Sequence, residues 1–387
     1  MAKGSKDQAV SERLPVARVA VDISLAHLDR PFDYLVPASM DETAVPGCRV
    51  RVRFAGQLVD GYLLDRIQTS EHQGKLARLE RVISPEPVLT PEIFDLARAV
   101  ADRYAGTLAD VLRLAIPPRH ATAEREAPAA PDTSALLPRP EPGSWIRYPA
   151  GQAFLAALAE GRPVRAAWSA LPGPEWPAEI AIAAATTAAA GRGAVIVVPD
   201  ARDLAHVDAA LTAVSQGDER GHVCLTADLG PAERYRRWLA VLRGAVRVVA
   251  GTRAAMFAPV CQLGLVVLWD DGDDLHAEPR APYPNAREVL ALRAHRSGAA
   301  ALIGGFARTA ELTQLVAAGW ARPLAARPEA LRQVAPWVRA APDEAELARD
   351  AAAMTARLPS LALRTARTAL AGDLRSSDPL SLSLIHI

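Results

Sequence analysis

The sequence predicts an α/β fold in two parts, a small β-rich domain followed by a larger lobe built on a parallel sheet. Three observations predict it. Between Leu14 and Ile83, short alternating runs break at turn residues, as half-buried strands do. From residue 151 apolar runs alternate with helical stretches of roughly 10–15 residues, the rhythm of a doubly wound sheet. The run Leu263–Trp269 is apolar without a break, as a strand buried on both faces would be, and it stops in Asp270, Asp271, Asp273 and Asp274.

Composition bounds the rest. With 387 residues, half of them hydrophobic, the chain has room for two or three well-filled domains. Basic and acidic residues balance at 44 each, so any nucleic-acid surface must be a local patch. Lys3, Lys6 and Lys75 are the only lysines, and arginine supplies the remaining basic residues. Cys48, Cys224 and Cys261 lie far apart with no C-x-x-C pair, which argues against a zinc site or a disulfide framework in this chain. The polar N-terminus has no signal-peptide core, and no apolar run is long enough to span a membrane. The expected location is the cytoplasm.

Residues 1–13 are polar and expected to be disordered. The strands VARVAVDIS, PFDYLVP, GCRVRVRFAG, LVDGYLLDRI and ARLERVI follow, with turns at Pro46-Gly47 and Ala55-Gly56. In GCRVRVRF, Val50, Val52 and Phe54 alternate with Arg49, Arg51 and Arg53, so one face is apolar and the other is an arginine ladder. That ladder is either a solvated outer face or a phosphate-contacting patch. Thr90 and Pro91 open a helix with apolar positions at Ile93, Leu96, Ala97 and Val100, and a shorter helix, ADVLRLAIP, ends at Pro117-Pro118. Residues 118–150 are Pro/Ala-rich without period and read as a linker.

In the α/β part, helices GQAFLAALAEG and PAEIAIAAATTAAAGRG precede the strand GAVIVVP, and a helix runs from Asp203 to about Ser215. Strand HVCLTA, helix PAERYRRWLAVLRG and strand VRVVAG follow, ending in Gly251-Thr252-Arg253. Then come LGLVVLWDD, helix PNAREVLALRAHRSG and strand AALIGG. Beyond Trp320 one or two further helices are expected. Ligands of open α/β sheets bind at the carboxyl ends of the strands, so Asp270 and Asp271 stand where a magnesium–nucleotide site would be. The alternative is a set of carboxylates at a solvated strand end. His276 and His295 have no ligand spacing.

Set together, FDYLVP, GCRVRVRF and PEPVLTPEIFDLARAVADRYAGTLADVLRLAIP resemble the 3′-DNA-binding domain of the replication-restart helicase family of primosomal protein N′, PriA. The segments RVVAGTRAAMFAPVCQLGLVVLWDDGDD and PYPNAREVLALRAH resemble that family's GTR strand and its DEEH strand with the following helix. The resemblance implies a 3′-end DNA-binding domain over 14–117 and a RecA-like helicase lobe with degenerate motifs over 151–325. It further implies the start of a second lobe over 326–374. The final residues, 375–387, break in style and read as a non-native tail, and the chain is expected to be truncated.

The departures carry as much as the matches. The family's P-loop, G-x-T-G-S-G-K-T-E, is replaced by ALPGPEWPAEI. Gly173 and Glu179 remain, while Pro177 and Ala178 stand where Lys and Thr belong. A P-loop cradles phosphates with consecutive backbone N–H groups and a lysine; Pro172, Pro174 and Pro177 remove three of those donors. No lysine follows residue 75. The DEEH segment has become Asp270-Asp271-Gly272-Asp273, and the family's GSAT motif is Gly304–Ala307, GGFA. No catalytic residue is expected, and Arg253 of the GTR motif is expected to support the fold or touch DNA. ATP binding is left open, and zinc is expected only in a C-terminal region outside this chain.

Carried over, the 3′-end pocket is Phe32, Asp33 and Tyr34 with Gly56. The aromatic rings suit base stacking, and the carboxylate can accept from a free 3′-hydroxyl. The alternative reading of the two rings is strand core. The family's pocket lysine has no firm counterpart here; Lys75 and Arg78 are the nearest. Arg49, Arg51 and Arg53 are the candidates for DNA-backbone contact. The implied partners are forked DNA with a nascent 3′ end, other primosome proteins and single-stranded DNA-binding protein, with no membrane. The implied function is recognition of stalled forks and reloading of the replicative helicase without ATP hydrolysis. An active 3′→5′ helicase with an atypical nucleotide site is the alternative, and a functionless fragment is a third possibility.

Overall fold

The computed structural model describes residues 9–126, 139–215, 221–226 and 228–335, with Leu363 and Arg367 as isolated helical positions. Met1–Val334 pack as one compact unit, and the second unit, Ala335–Ile387, falls almost wholly outside the described residues. The expected helices after Trp320 beyond residue 335, and the tail 375–387, therefore lie outside them.

The N-terminal strands β1 (Val16–Val21), β2 (Phe32–Leu35), β3 (Arg49–Phe54), β4 (Gln57–Ile67) and β5 (Leu79–Ser84) form an antiparallel sheet in the order β2-β1-β4-β3-β5. Alternation drives it, since Val50 and Val52 are fully buried while Arg49, Arg51 and Arg53 take the other face. A two-residue turn joins β3 to β4, with Phe54 opposite Gln57 and left-handed φ values of 46° at Ala55 and 84° at Gly56. The sheet curls. Phe32 on the β2 edge meets Phe54 on β3 with ring centroids 4.8 Å apart, although β1 and β4 lie between those strands.

Helices α1 (Pro91–Arg103) and α2 (Leu108–Ala115) are capped by Thr90 and Thr107, whose hydroxyls accept from the N–H of Ile93 and Asp110 at 3.2 Å. Leu96 and Val100 of α1 and Val111 and Leu112 of α2 share one apolar core with Phe257, Val289 and Leu290 from the α/β part. The two parts are thus packed into one body.

Helices α3 (Ala121–Arg125), α4 (Gly151–Glu160), α5 (Trp176–Ala189), α6 (Ala201–Val214), α7 (Pro231–Leu242), α8 (Ala286–Ser297), α9 (Ala310–Ala317) and α10 (Pro328–Val334) surround a second sheet. Its seven strands, all parallel, are β6 (Arg165–Ser169), β7 (Gly193–Val197), β8 (Val223–Leu225), β9 (Val248–Gly251), β10 (Leu263–Trp269), β11 (Ala300–Gly305) and β12 (Arg322–Ala325). They run in the order β12-β6-β11-β10-β7-β9-β8. β10 is central and covered on both sides: Leu265, Val267 and Trp269 enter one core, Val266 and Leu268 the other. This is the α/β architecture expected.

Two boundary expectations are corrected. Of 1–13, residues 9–13 are in place: Val10 bridges Pro37, and Ser11, 4% exposed, donates its hydroxyl to Asp41. The stretch 118–150 is also more than a spacer. Its described ends form α3 and a 3₁₀ turn, Gly143–Arg147, and Trp145 and Tyr148 are wholly buried. Proline content masked these two aromatic anchors.

Candidate functional site

Strand pleating separates the FDY trio. Phe32 and Tyr34 point into the curled sheet's core, and Asp33 points to the opposite face. Tyr34 is 4% exposed, its hydroxyl lies 3.5 Å from the Arg53 carbonyl, and burial pushes it up to about 12. It presents no ring to a base. Phe32 is half-buried, with the Arg30 guanidinium 5.1 Å above its centroid and Phe54 at its edge. Asp33 accepts from the Ser70 hydroxyl at 2.5 Å and pairs with Arg18, its neighbour across β1, at 3.5 Å. Two donors leave room among a carboxylate's roughly four lone-pair positions for another.

Ser70 belongs to the segment after β4 that returns along the free edge of β2. There Leu35 donates its N–H to the Ala77 carbonyl at 2.8 Å and bridges Arg78. Lys75 is exposed on this segment. Arg18 and Ser70 are partners of Asp33 that sequence reasoning missed. The Arg18–Asp33 pair follows only from strand register, and the Ser70 contact only from where that segment returns.

The arginine ladder is already engaged. Arg51 makes a two-pronged pair with Asp60 at 2.6 and 3.1 Å, and Arg53 bonds Glu80 at 3.1 Å and the Gly56 carbonyl at 3.2 Å. Arg49 reaches the Pro117 carbonyl at 2.6 Å and lies over the Tyr62 ring. Asp60 and Glu80 thus offset the charge of two of the ladder's three arginines. Gly56 sits at the hairpin tip with nothing within 4 Å of where a Cβ would stand, so its backbone is open to close approach.

At the carboxyl ends of the parallel strands, the place of a nucleotide is filled by protein. Trp176 opens α5 and stacks flat on Trp269, the last residue of β10, at 4.1 Å between centroids and 2° between planes. Both rings are at least nine-tenths buried. The loop after β6 turns its donors inward, the Ala170 N–H to the Gly305 carbonyl at 3.0 Å and the Leu171 N–H to the Tyr148 hydroxyl at 2.9 Å. That hydroxyl in turn donates to Glu179 at 3.2 Å. Glu179 is 1% exposed, the Tyr148 and Ser144 hydroxyls stand at its carboxyl, and burial outweighs them to hold it above the usual range. Gly173, at φ 139°, lies against the Glu175 carboxylate. The helix N-terminus thus carries two carboxylates and prolines where a triphosphate needs cations and N–H groups.

The strand-end acids are dispersed. Asp271 is buried, accepts from the Thr309 hydroxyl and lies 3.7 Å from Arg287; desolvation raises its carboxyl. Asp273 accepts from the Leu275 N–H at 2.8 Å. Asp270, exposed and at φ 52°, is raised by desolvation and then by Asp273. Among the described residues they form no group of three within metal-binding reach. Arg253 bonds Glu278 at 3.0 Å and the Leu275 carbonyl at 2.8 Å, pinning the turn that follows. Gly304 has no room for a side chain, because a Cβ would meet the Trp168 carbonyl at 2.0 Å.

Comparison with known proteins gives these features a lineage. Residues 18–117 match the PriA 3′ DNA-binding domain (3′BD). Over 350 residues the chain is 57% identical to a probable replication restart protein PriA of Mycobacterium tuberculosis, covering 90% of this chain and 53% of that protein. The chain belongs to the PriA family. A Mycobacterium leprae relative bearing the same name is 54% identical over 90% of the chain and 54% of its own length. The replication restart protein PriA of Bacillus subtilis is 30% identical over 102 residues, 26% of this chain and 13% of that protein. The chain spans about half the length of the mycobacterial relatives it matches.

Within a PriA chain, the two regions fare differently. The domain that carries the family match keeps an open acceptor at Asp33 and an open hairpin tip at Gly56. The α/β lobe keeps its parallel strands, and at their carboxyl ends it buries the stacked Trp176 and Trp269.

Proposed function

We propose that this chain is a DNA-binding replication-restart protein that captures the 3′ end of a nascent strand at a branched fork, without hydrolysing ATP. The carrying observation is Asp33, a partly covered carboxylate on an edge strand with acceptor capacity to spare, inside the segment that matches the PriA 3′ DNA-binding domain. A terminal hydroxyl exists only at a strand end. Accepting its hydrogen bond therefore separates an end from the middle of a strand, while Arg18 and the exposed Lys75 supply nearby positive charge for the phosphates. The half-buried Phe32 ring is the one aromatic of the trio within reach of a base, on displacement of Arg30.

The non-hydrolysing part of the reading rests on the nucleotide cleft, where stacked Trp176 and Trp269 and two carboxylates stand in place of a phosphate cradle. The α/β lobe then serves as a scaffold for primosome proteins, single-stranded DNA-binding protein and the replicative helicase, a role supported by family resemblance alone. Fluorescence anisotropy with forks bearing a free or a blocked 3′ end tests the pocket. The free end should bind about tenfold tighter, a difference of about 1.4 kcal/mol, and Asp33→Ala should abolish that difference while leaving duplex binding intact. Equal binding of both forks sinks the pocket. ATPase activity stimulated by single-stranded DNA, in place of the background rate expected, would return the chain to the active helicases.

A further inference from the structure

We propose that Asp208, His222 and Cys224 form a site for a zinc-class divalent ion, bridging α6 and the edge strand β8 on the far side of the sheet from β12. The Nε2 of His222 lies 2.6 Å from an Asp208 carboxylate oxygen, and the Cys224 sulfur lies 3.1 Å from the same oxygen. All three potential ligand atoms fall within 4.8 Å of one another, the single such group among the described residues.

The placement follows from the backbone. His222 and Cys224 are two apart on an extended segment, so their side chains leave the same face. Asp208 projects toward them from the helix that precedes β8. Cysteine spacing alone gives no hint of this. The sequence lacks a C-x-x-C pair, and the ligands come from α6, from β8 and from the residue just before that strand, with Asp208 14 and 16 residues from His222 and Cys224.

The donor set selects the ion's class. One imidazole, one thiolate and one carboxylate suit a borderline ion such as zinc, whereas magnesium and calcium prefer oxygen alone. Zinc bonds of about 2.0–2.3 Å in a tetrahedron put ligand atoms roughly 3.4–3.6 Å apart. The present contacts open by less than about 1 Å to reach that spacing. Charge also balances, because carboxylate and thiolate together neutralise a divalent ion. Loading forms the metal–sulfur bond and releases the thiol proton to solvent. His222 is 9% exposed in its side chain, and its Nδ1 has no partner. The ring can therefore carry its proton there and turn a lone pair on Nε2 to the metal without breaking another bond. Burial and the Asp208 contact hold the free thiol up near 12, so an unmetallated Cys224 stays protonated.

Bound, the ion would fasten the outermost strand to its helix and cover an edge that otherwise invites pairing with another chain. The test is titration of the chelator-stripped full chain with Co²⁺ alone. One equivalent should produce a thiolate-to-cobalt charge-transfer band with the strong visible absorption of tetrahedral cobalt, and Zn²⁺ should bleach both. Cys224→Ser should remove the charge-transfer band, while Cys48→Ser and Cys261→Ser keep it. Asp208→Asn, at a half-exposed helix position that folding tolerates, should weaken Co²⁺ binding at least tenfold. Circular dichroism establishes that each variant is folded. A folded parent without the band, a band that survives Cys224→Ser, or unchanged affinity in Asp208→Asn overturns the site.

Discussion

Single residues decide how much of this molecule is chemistry and how much is packing. Glu179 survives from a motif whose lysine and threonine are gone, and it is now a buried carboxyl bonded to Tyr148. Desolvation holds its folded-state pKa above the unfolded value. Between those two values the folded chain binds more protons than the unfolded one, so this group's effect on stability worsens as pH rises through the window. Below the unfolded value, about 4.3, both states are protonated and the penalty vanishes. Glu179→Gln keeps an acceptor for Tyr148 and removes the charge. Its stability should exceed the parent's near pH 7 by on the order of 1 kcal/mol, read as a higher melting temperature, and converge with it near pH 4. Melts at both pH values check this, and an equal difference at both would contradict it. Tyr148→Phe should act oppositely, costing about 1–3 kcal/mol by stranding Glu179 and the Leu171 N–H. At this scale the sequence was a partial guide. It singled out Asp33 and Glu179, and it left Phe32 and Tyr34 open between pocket and strand core, of which Tyr34 takes the core.

At the scale of elements, loss of the P-loop was legible because proline and missing lysine have local consequences. What replaced it was not. The Trp176–Trp269 stack joins residues nearly a hundred positions apart, and it extends through Trp168, Trp145 and Phe306. No periodicity reports such a cluster, and proline-rich composition made Trp145 look like part of a linker. The cluster makes the cleft a core. Trp176→Ala should therefore cost about 3–5 kcal/mol, as truncation of a buried tryptophan does, and should not create ATP binding, because the vacated space still faces Glu175 and Glu179. Chemical denaturation gives the first quantity and nucleotide-dependent melting the second. A large stabilisation of Trp176→Ala by Mg²⁺–ATP would mean that the indole alone blocks the site. The arginine ladder teaches the converse: its spacing was plain in the sequence, yet Asp60 and Glu80, which occupy two of its members, come from other strands.

Over the whole molecule, α1 and α2 turn a DNA-binding sheet and a RecA-like lobe into one body. Their apolar faces share a core with the lobe, and a polar clamp reinforces it. Arg293 of α8, with no exposed side-chain surface, bonds both oxygens of Glu92 on α1 at 2.8 and 3.0 Å and the carbonyls of Met256 and Ala258 at 2.8 Å each. Arg243, the C-cap residue of α7, grips Glu86 in the same two-pronged way, at 2.7 and 2.9 Å. The amphipathic pattern of α1 was visible in the sequence, but the destination of its apolar face was not, since long-range pairing leaves no local mark. Because the clamp is asymmetric in burial, its two ends should respond differently. Glu92→Ala leaves a fully buried guanidinium without its counter-charge, a loss of about 3–5 kcal/mol. Arg293→Met removes the buried charge and fills part of its volume, and the Glu92 carboxylate it frees is 37% exposed and stays hydrated. It should cost less than Glu92→Ala. Both variants should still unfold in a single transition across residues 9–334, because the shared apolar core remains. Two resolved transitions in Glu92→Ala would mean that the clamp, and not the core, couples the DNA-binding sheet to the lobe.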